Sequence, residues 1–142
     1  MNILQISFHT SPFGSLGEFD SGGLNVYVQQ ISKHLSNDNN ITVVTAEKAE
    51  NFKSENLIFY SLNLFEPGLS VEDKEIYLQE FKKKLEETFT LEDFDIIHAH
   101  CFQVWSPNKY QKNITYLLFL LRIVLECFFK DTTKNVLIVK KW

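Results

Sequence analysis

Cysteine, methionine, proline and net positive charge are all scarce in this chain of 142 residues. Two cysteines, Cys101 and Cys127, make no disulfide framework, so the fold has to be held by an apolar core and a reducing cytoplasm is the expected compartment. Lysine and arginine number 14 against 18 acidic residues, for a net charge of -4. That leaves no electrostatic footprint for nucleic acid. The run Lys82-Lys83-Lys84 reads as a solvated helix face, because Glu80, Glu86 and Glu87 surround it. The opening Met1 to Ser7 has no basic region and meets a loop too soon for a secretory signal peptide. Asn113-Ile114-Thr115 is a formal glycosylation sequon, without consequence in a cytoplasmic chain. No run supplies the roughly twenty apolar residues of a membrane span. What is present, 44% hydrophobic residues, suffices for one domain with a core.

Glycine is also rare, yet four of the five glycines fall between Gly14 and Gly23. The stretch follows an apolar run, Ile3 to Phe8, that reads as a buried strand. It leads into a helical pattern in which Leu24, Tyr27, Val28, Ile31 and Leu35 recur at spacings of three and four. Gly22 and Gly23 thus stand where a strand hands over to a helix, and the free N–H groups and dipole of a helix start attract an anion, typically a phosphate. Without a Cβ, both glycines let a ligand approach the backbone. Asp20 or Ser21 suits the N-cap. The connection is longer than the two to six residues an ordinary one needs. Read as structure alone, the pair is a turn and Ser21 a cap. The spacing does not make G-x-G-x-x-G, which argues against nicotinamide or flavin.

The remaining elements alternate. Asn37 to Asn40 is a turn cluster and Ile41 to Thr45 a β-branched strand, followed by a polar, loop-like Ala46 to Glu55. Leu57 to Leu62 is a third strand and Glu66-Pro67-Gly68 a turn. Ser70 to Thr88 reads as one helix with apolar side chains at Ile76, Tyr77, Phe81, Leu85 and Phe89, and Ser70 with Asp73 has capping-box spacing. Phe94 to Ala99 is a fourth strand. The order predicts an α/β fold, a doubly wound and mostly parallel sheet, in which ligands bind beyond the carboxyl ends of the strands. The glycine stretch and His100 both belong at that edge.

His98 and His100 are two apart on a strand and therefore face one side of the sheet. Two histidines at that spacing can share a metal, but no third ligand stands nearby, and no metal is expected. His98 reads as a buried sheet residue. His100, placed past the strand end, is the candidate for chemistry, able to donate to a sugar hydroxyl or to developing charge. His9 lies in the first loop and is left unassigned, a surface position being one option.

Two blocks carry a family resemblance: Gly17-x-x-Asp20-Ser21-Gly22-Gly23-x-Asn25-Val26-Tyr27-Val28, and Asp95-Ile96-Ile97-His98-Ala99-His100. Together they resemble the first domain of the family-4 retaining glycosyltransferases, in the branch containing sucrose-phosphate synthase and sucrose synthase. The resemblance implies a Rossmann-like amino-terminal half of a GT-B enzyme. It implies transfer of a hexose from a nucleoside diphosphate sugar to an acceptor hydroxyl, a sugar or sugar phosphate, with retention and without a metal or other cofactor in the chemical step. Carried over residue by residue, it implies Gly22 and Gly23, with Ser21, for phosphate approach, Asn25 for the acceptor, and His100 at the reaction centre.

The pattern runs to Gln103 and then fails. Residues 1–103 are expected to form the acceptor-side domain and 104–142 a divergent apolar tail. Such enzymes work between two Rossmann-like domains, and the second carries the nucleotide pocket. The isolated chain is therefore expected to be a truncated, inactive piece that needs a second domain or chain. The tail contains Ile114 to Phe129, apolar nearly all round but with Arg122 and Glu126 inside it. Three readings stand: a buried helix with Asn135 to Val139 as a fifth strand, a membrane-contacting helix, or a frame-shifted end. From a different class, a non-catalytic module that binds a phosphate or sugar phosphate, or joins a partner subunit, fits the same glycine stretch.

Overall fold

A computed structural model of the protein describes residues 1–14, 23–101 and 135–140. Strand β1, Asn2–Ser7, is buried from its second residue on, as its near-continuous apolar character suits a strand covered on both faces. Helix α1, Gly23–Leu35, returns the chain to β2, Asn40–Glu47. A two-residue strand β3, Phe52–Lys53, turns antiparallel onto β4, Leu57–Phe65. Then come α2, Val71–Lys74, a single 3-10 turn at Glu75–Tyr77, and α3, Leu78–Thr88. Strand β5, Ile96–Cys101, and β6, Asn135–Lys140, close the order.

The six strands form one sheet in the order β3-β4-β2-β1-β5-β6, with every pair parallel except β3 with β4. This is the doubly wound α/β sheet that the alternation predicts. The period of two sorts its side chains. Leu4, Ile6, Phe8, Val44, Ala46, Ile97 and Ala99 cluster with Phe81, Leu85 and Leu91 on the α3 face. Ile3, Ile41, Val43, Leu57 and Phe59 cluster with Val28, Leu24 and Tyr27 on the α1 face. On the α3 side, Phe8 meets Phe81 and Phe65 edge to face, at centroid distances of 5.1 and 5.7 Å. On the solvent side of α3, Lys82, Lys83 and Lys84 pair with Glu86, Glu87 and Glu80 at 3.5 to 3.8 Å.

Several boundaries differ from the sequence expectation. Ala46 and Glu47 belong to β2 and are buried, and the stretch read as a loop contains β3. Phe52 is held there by Phe13 and Phe59, ring centroids 5.0 and 5.6 Å away, a tertiary contact with no local signature. The single helix from Ser70 is broken. Ser70 does cap it, its hydroxyl accepting the Asp73 N–H at 3.1 Å and donating to the Asp73 carboxylate at 2.7 Å. The 3-10 turn, however, advances about 120° per residue instead of about 100° and so rotates the following face. Lys74, just before the turn, is fully buried, and Ile76, expected inside, is 75% exposed.

The apolar stretch 114–129, and with it the helix and membrane readings of the tail, lies outside the described residues. The backbone of Asn135–Lys140 pairs with β5 from Ile96↔Asn135 to Cys101↔Lys140. Among the described residues, no helix is long and apolar enough to cross a membrane.

Candidate functional site

The strand order reverses at β1. From there the chain passes to β2 and β4 on one side, and to β5 and β6 on the other. Doubly wound sheets bind ligands in a crevice beyond the carboxyl ends of their strands at such a reversal, here the edge at which β1 and β5 end. Register places Ser7 of β1 opposite His100 of β5, and Gln5 opposite His98. Helix α1 starts at the same edge, so its first-turn N–H groups face the crevice.

Gly23 is the first residue of α1 and is exposed. A Cβ built there meets nothing within 4 Å, so no neighbour among the described residues requires a glycine. Gly22 and Ser21, with Asp20, lie outside the described residues. Asn25, in the first turn, is 4% exposed, and its Oδ1 accepts a hydrogen bond from the Thr10 hydroxyl. The Ser7 hydroxyl in turn donates to the Thr10 carbonyl at 3.0 Å. Asn25 thus ties the loop after β1 to the start of α1.

His100 lies within β5 rather than beyond it. Backbone pairing with Ser7 on one side and Val139 on the other carries the strand to Cys101, which corrects the strand end expected at Ala99. Its side chain is 3% exposed, beside His98 with ring centroids 4.0 Å apart and planes tilted by 40°, and approached edge-on by Tyr27 at 5.9 Å. The two histidines do share a face. His100 Nε2 stands 3.2 Å from Gln5 Oε1. A carbonyl oxygen only accepts, so Nε2 carries the proton and Nδ1 is left as an acceptor. Burial, and then the neighbouring His98, push the His100 pKa down from 6.5 to about 3, and burial also lowers that of His98. Both rings are neutral at physiological pH. His100 can therefore orient a polar group but cannot supply a proton from an imidazolium.

Gln5 is a residue that sequence reasoning passed over. It sits at 0% exposure in the central strand, and its Oε1 accepts from His100 and lies 2.9 Å from the Ser32 hydroxyl on α1. A glutamine inside an otherwise apolar run was the available signal. Its Nε2, with Ser11 Oγ, Thr45 Oγ1 and His98 Nε2, is buried with no hydrogen-bond partner among the described residues. Each such atom costs about 1–3 kcal/mol. The four lie on β1, β2, β5 and the loop after β1, and each such group calls for an explanation, a ligand or water partner among them.

His9, unassigned from sequence, is 5% exposed. It stands edge-on to Phe8 at 5.2 Å. Burial, and then the Lys74 ammonium, lower its pKa to about 4. Lys74 and Glu47, both buried, approach to 3.7 Å at the same end of the sheet. Neither was singled out from sequence, where charged residues default to solvent. Among the described residues, no group of three or more His, Cys, Asp or Glu could hold a metal.

No protein-family model matches the chain. No curated protein matches it either. Among solved structures it is similar to sucrose-phosphate synthase from Thermosynechococcus elongatus, with a TM-score of 0.59 and 20% identity over 69% of this chain and 26% of that one. At that identity the likeness is one of fold. The chain spans about a quarter (26%) of the length of that protein.

Proposed function

We propose that this chain is the acceptor-side domain of a retaining, cytoplasmic glycosyltransferase of the GT-B type, with residues 1–103 carrying the domain. The reaction is hexose transfer from a nucleoside diphosphate sugar to the hydroxyl of a sugar or sugar phosphate. The observation that carries this reading is the convergence at the switch crevice of the open start of α1 at Gly23 with the buried Gln5–His100 hydrogen bond. One offers backbone N–H groups to a phosphate; the other offers neutral, fixed polar groups to sugar hydroxyls. The fold likeness to sucrose-phosphate synthase and the motif around Gly22, Gly23 and Asn25 support the same class.

Retaining transfer asks the protein to orient two substrates and to stabilise charge on the leaving diphosphate. A histidine held neutral suits orientation. The leaving phosphate, not a side chain of this domain, then takes the acceptor proton. Charge stabilisation at the donor belongs to a second Rossmann-like domain, so the chain alone binds but does not turn over.

The test combines calorimetry and NMR with a panel of hexose phosphates, together with a transfer assay using nucleoside diphosphate hexoses. The expected outcome is weak binding that shifts the Gly23 and Asn25 amides, and no transfer above a His100→Ala control. Absence of any binding, or shifts confined to the opposite end of the sheet, overturns the site. Transfer above the control overturns the inactivity of the isolated domain.

A further inference from the structure

Glu47 and Lys74 meet at the carboxyl edge of the sheet, where charged side chains are rarely buried unless paired. Their exposures are 7% and 0%. The backbone is specially shaped to bring Glu47 there. The register of β2 against β4 shifts between Thr45 and Glu47, and Asn63 in β4 takes a positive φ of 52°. The Ser61 hydroxyl bridges the irregularity. It donates to the Glu47 carbonyl at 2.6 Å and accepts from the Asn63 and Ala49 N–H groups at 3.1 and 3.2 Å. Bulges of this kind re-aim a side chain. Here the re-aimed carboxylate accepts the Ser11 N–H with Oε1 at 2.9 Å and faces the Lys74 ammonium with Oε2 at 3.7 Å. Ser11 belongs to the loop that leaves β1 for the glycine stretch. Lys74 ends α2 and lies against the Phe65 ring, 5.5 Å from its centroid.

We infer that Glu47 is a positioning residue of the crevice: its two carboxylate oxygens couple the loop after β1 to the buried ammonium of Lys74, so that neither moves without the other. That the crevice holds an acceptor sugar rests on the function proposed above; the coupling does not, and it is tested without a ligand.

His9 supplies the readout. It stands two residues before Ser11, and its titration is lowered by burial and then by the Lys74 ammonium. Removing a nearby carboxylate charge by itself lowers a histidine midpoint, so a rise in Glu47→Gln reports displacement of the Lys74 ammonium. The experiment uses the full chain as Glu47→Gln, Lys74→Met, the double variant and Glu47→Ala. It follows the His9 imidazole by NMR titration and the Ser11 amide by hydrogen exchange at neutral pH. Glu47→Gln keeps the side-chain volume and an oxygen for Ser11 but loses the charge that holds Lys74.

The expected result has three parts. The His9 midpoint rises from about 4 in Lys74→Met and, by a smaller amount, in Glu47→Gln. The double variant shows no further rise. Ser11 exchange is close to the parent in Glu47→Gln and roughly tenfold or more faster in Glu47→Ala. A midpoint that rises in Lys74→Met but stays fixed in Glu47→Gln overturns the coupling. So does a Ser11 amide as protected in Glu47→Ala as in the parent. Where acid unfolding precedes the His9 midpoint, Ser11 exchange in Lys74→Met decides: faster exchange than in the parent is expected, and protection equal to the parent overturns the coupling.

Discussion

Acid should unfold this domain through its histidines before its carboxylates are touched. His9 and His100 titrate near 4 and 3 in the folded chain against an ordinary value of 6.5. Both are buried, so the protonated form is disfavoured in the fold and not in the unfolded chain. The sign follows from linkage: a group whose folded pKa is depressed contributes stability that is fully present above 6.5 and is lost as pH falls toward the folded value. Between 6.5 and 5 each imidazole is protonated almost only in the unfolded state. At about 1.36 kcal/mol per pH unit, each then removes about 2 kcal/mol by pH 5. The pair removes about 4 kcal/mol, with His98 acting in the same direction. Against the 5–15 kcal/mol typical of a domain, that is a large share. Urea unfolding at pH 7.5, 6.5, 5.5 and 5.0 measures it, with an expected slope approaching roughly 2.7 kcal/mol per pH unit at the acid end. His100→Gln should lower that slope by about one proton's worth. Stability that stays flat between pH 7 and 5, or a slope unchanged in His100→Gln, would refute the burial argument.

Two other substitutions separate core from site. Phe81→Ala removes a fully buried ring that Phe8 meets edge to face at 5.1 Å; it should cost roughly 3–5 kcal/mol in urea unfolding. A loss under about 1 kcal/mol would mean that α3 is not the lid of that face. Gly23→Ala adds a Cβ that meets nothing within 4 Å and should leave stability unchanged or raise it by up to about 1 kcal/mol. Hexose phosphate binding should weaken in the same variant, because the new methyl group occupies the approach to the start of α1. Unchanged binding would remove the start of α1 from the site.

What was legible in the sequence was local. A near-continuous apolar run gives β1, three-and-four spacing gives α1, and Ser70 with Asp73 gives the cap of α2, because each of these patterns is written within a few residues of itself. The doubly wound sheet follows from their order. What escaped was whatever required a distant partner. Phe52 becomes a strand only because Phe13 and Phe59 lie beside it. Lys74 is buried where the irregularity between β2 and β4 turns Glu47 toward it. The histidines show the same division: their shared face follows from a period of two, but their neutrality follows from burial, which no spacing encodes. Gln5 joins the two halves. A glutamine in the middle of a buried strand is a local anomaly, visible at once. Its meaning appears only when β5 and α1 close over it with His100 and Ser32. Polar residues that interrupt a predicted buried strand therefore mark where the fold has to bring up partners from elsewhere in the chain. Here it draws them from the neighbouring strand β5 and from α1.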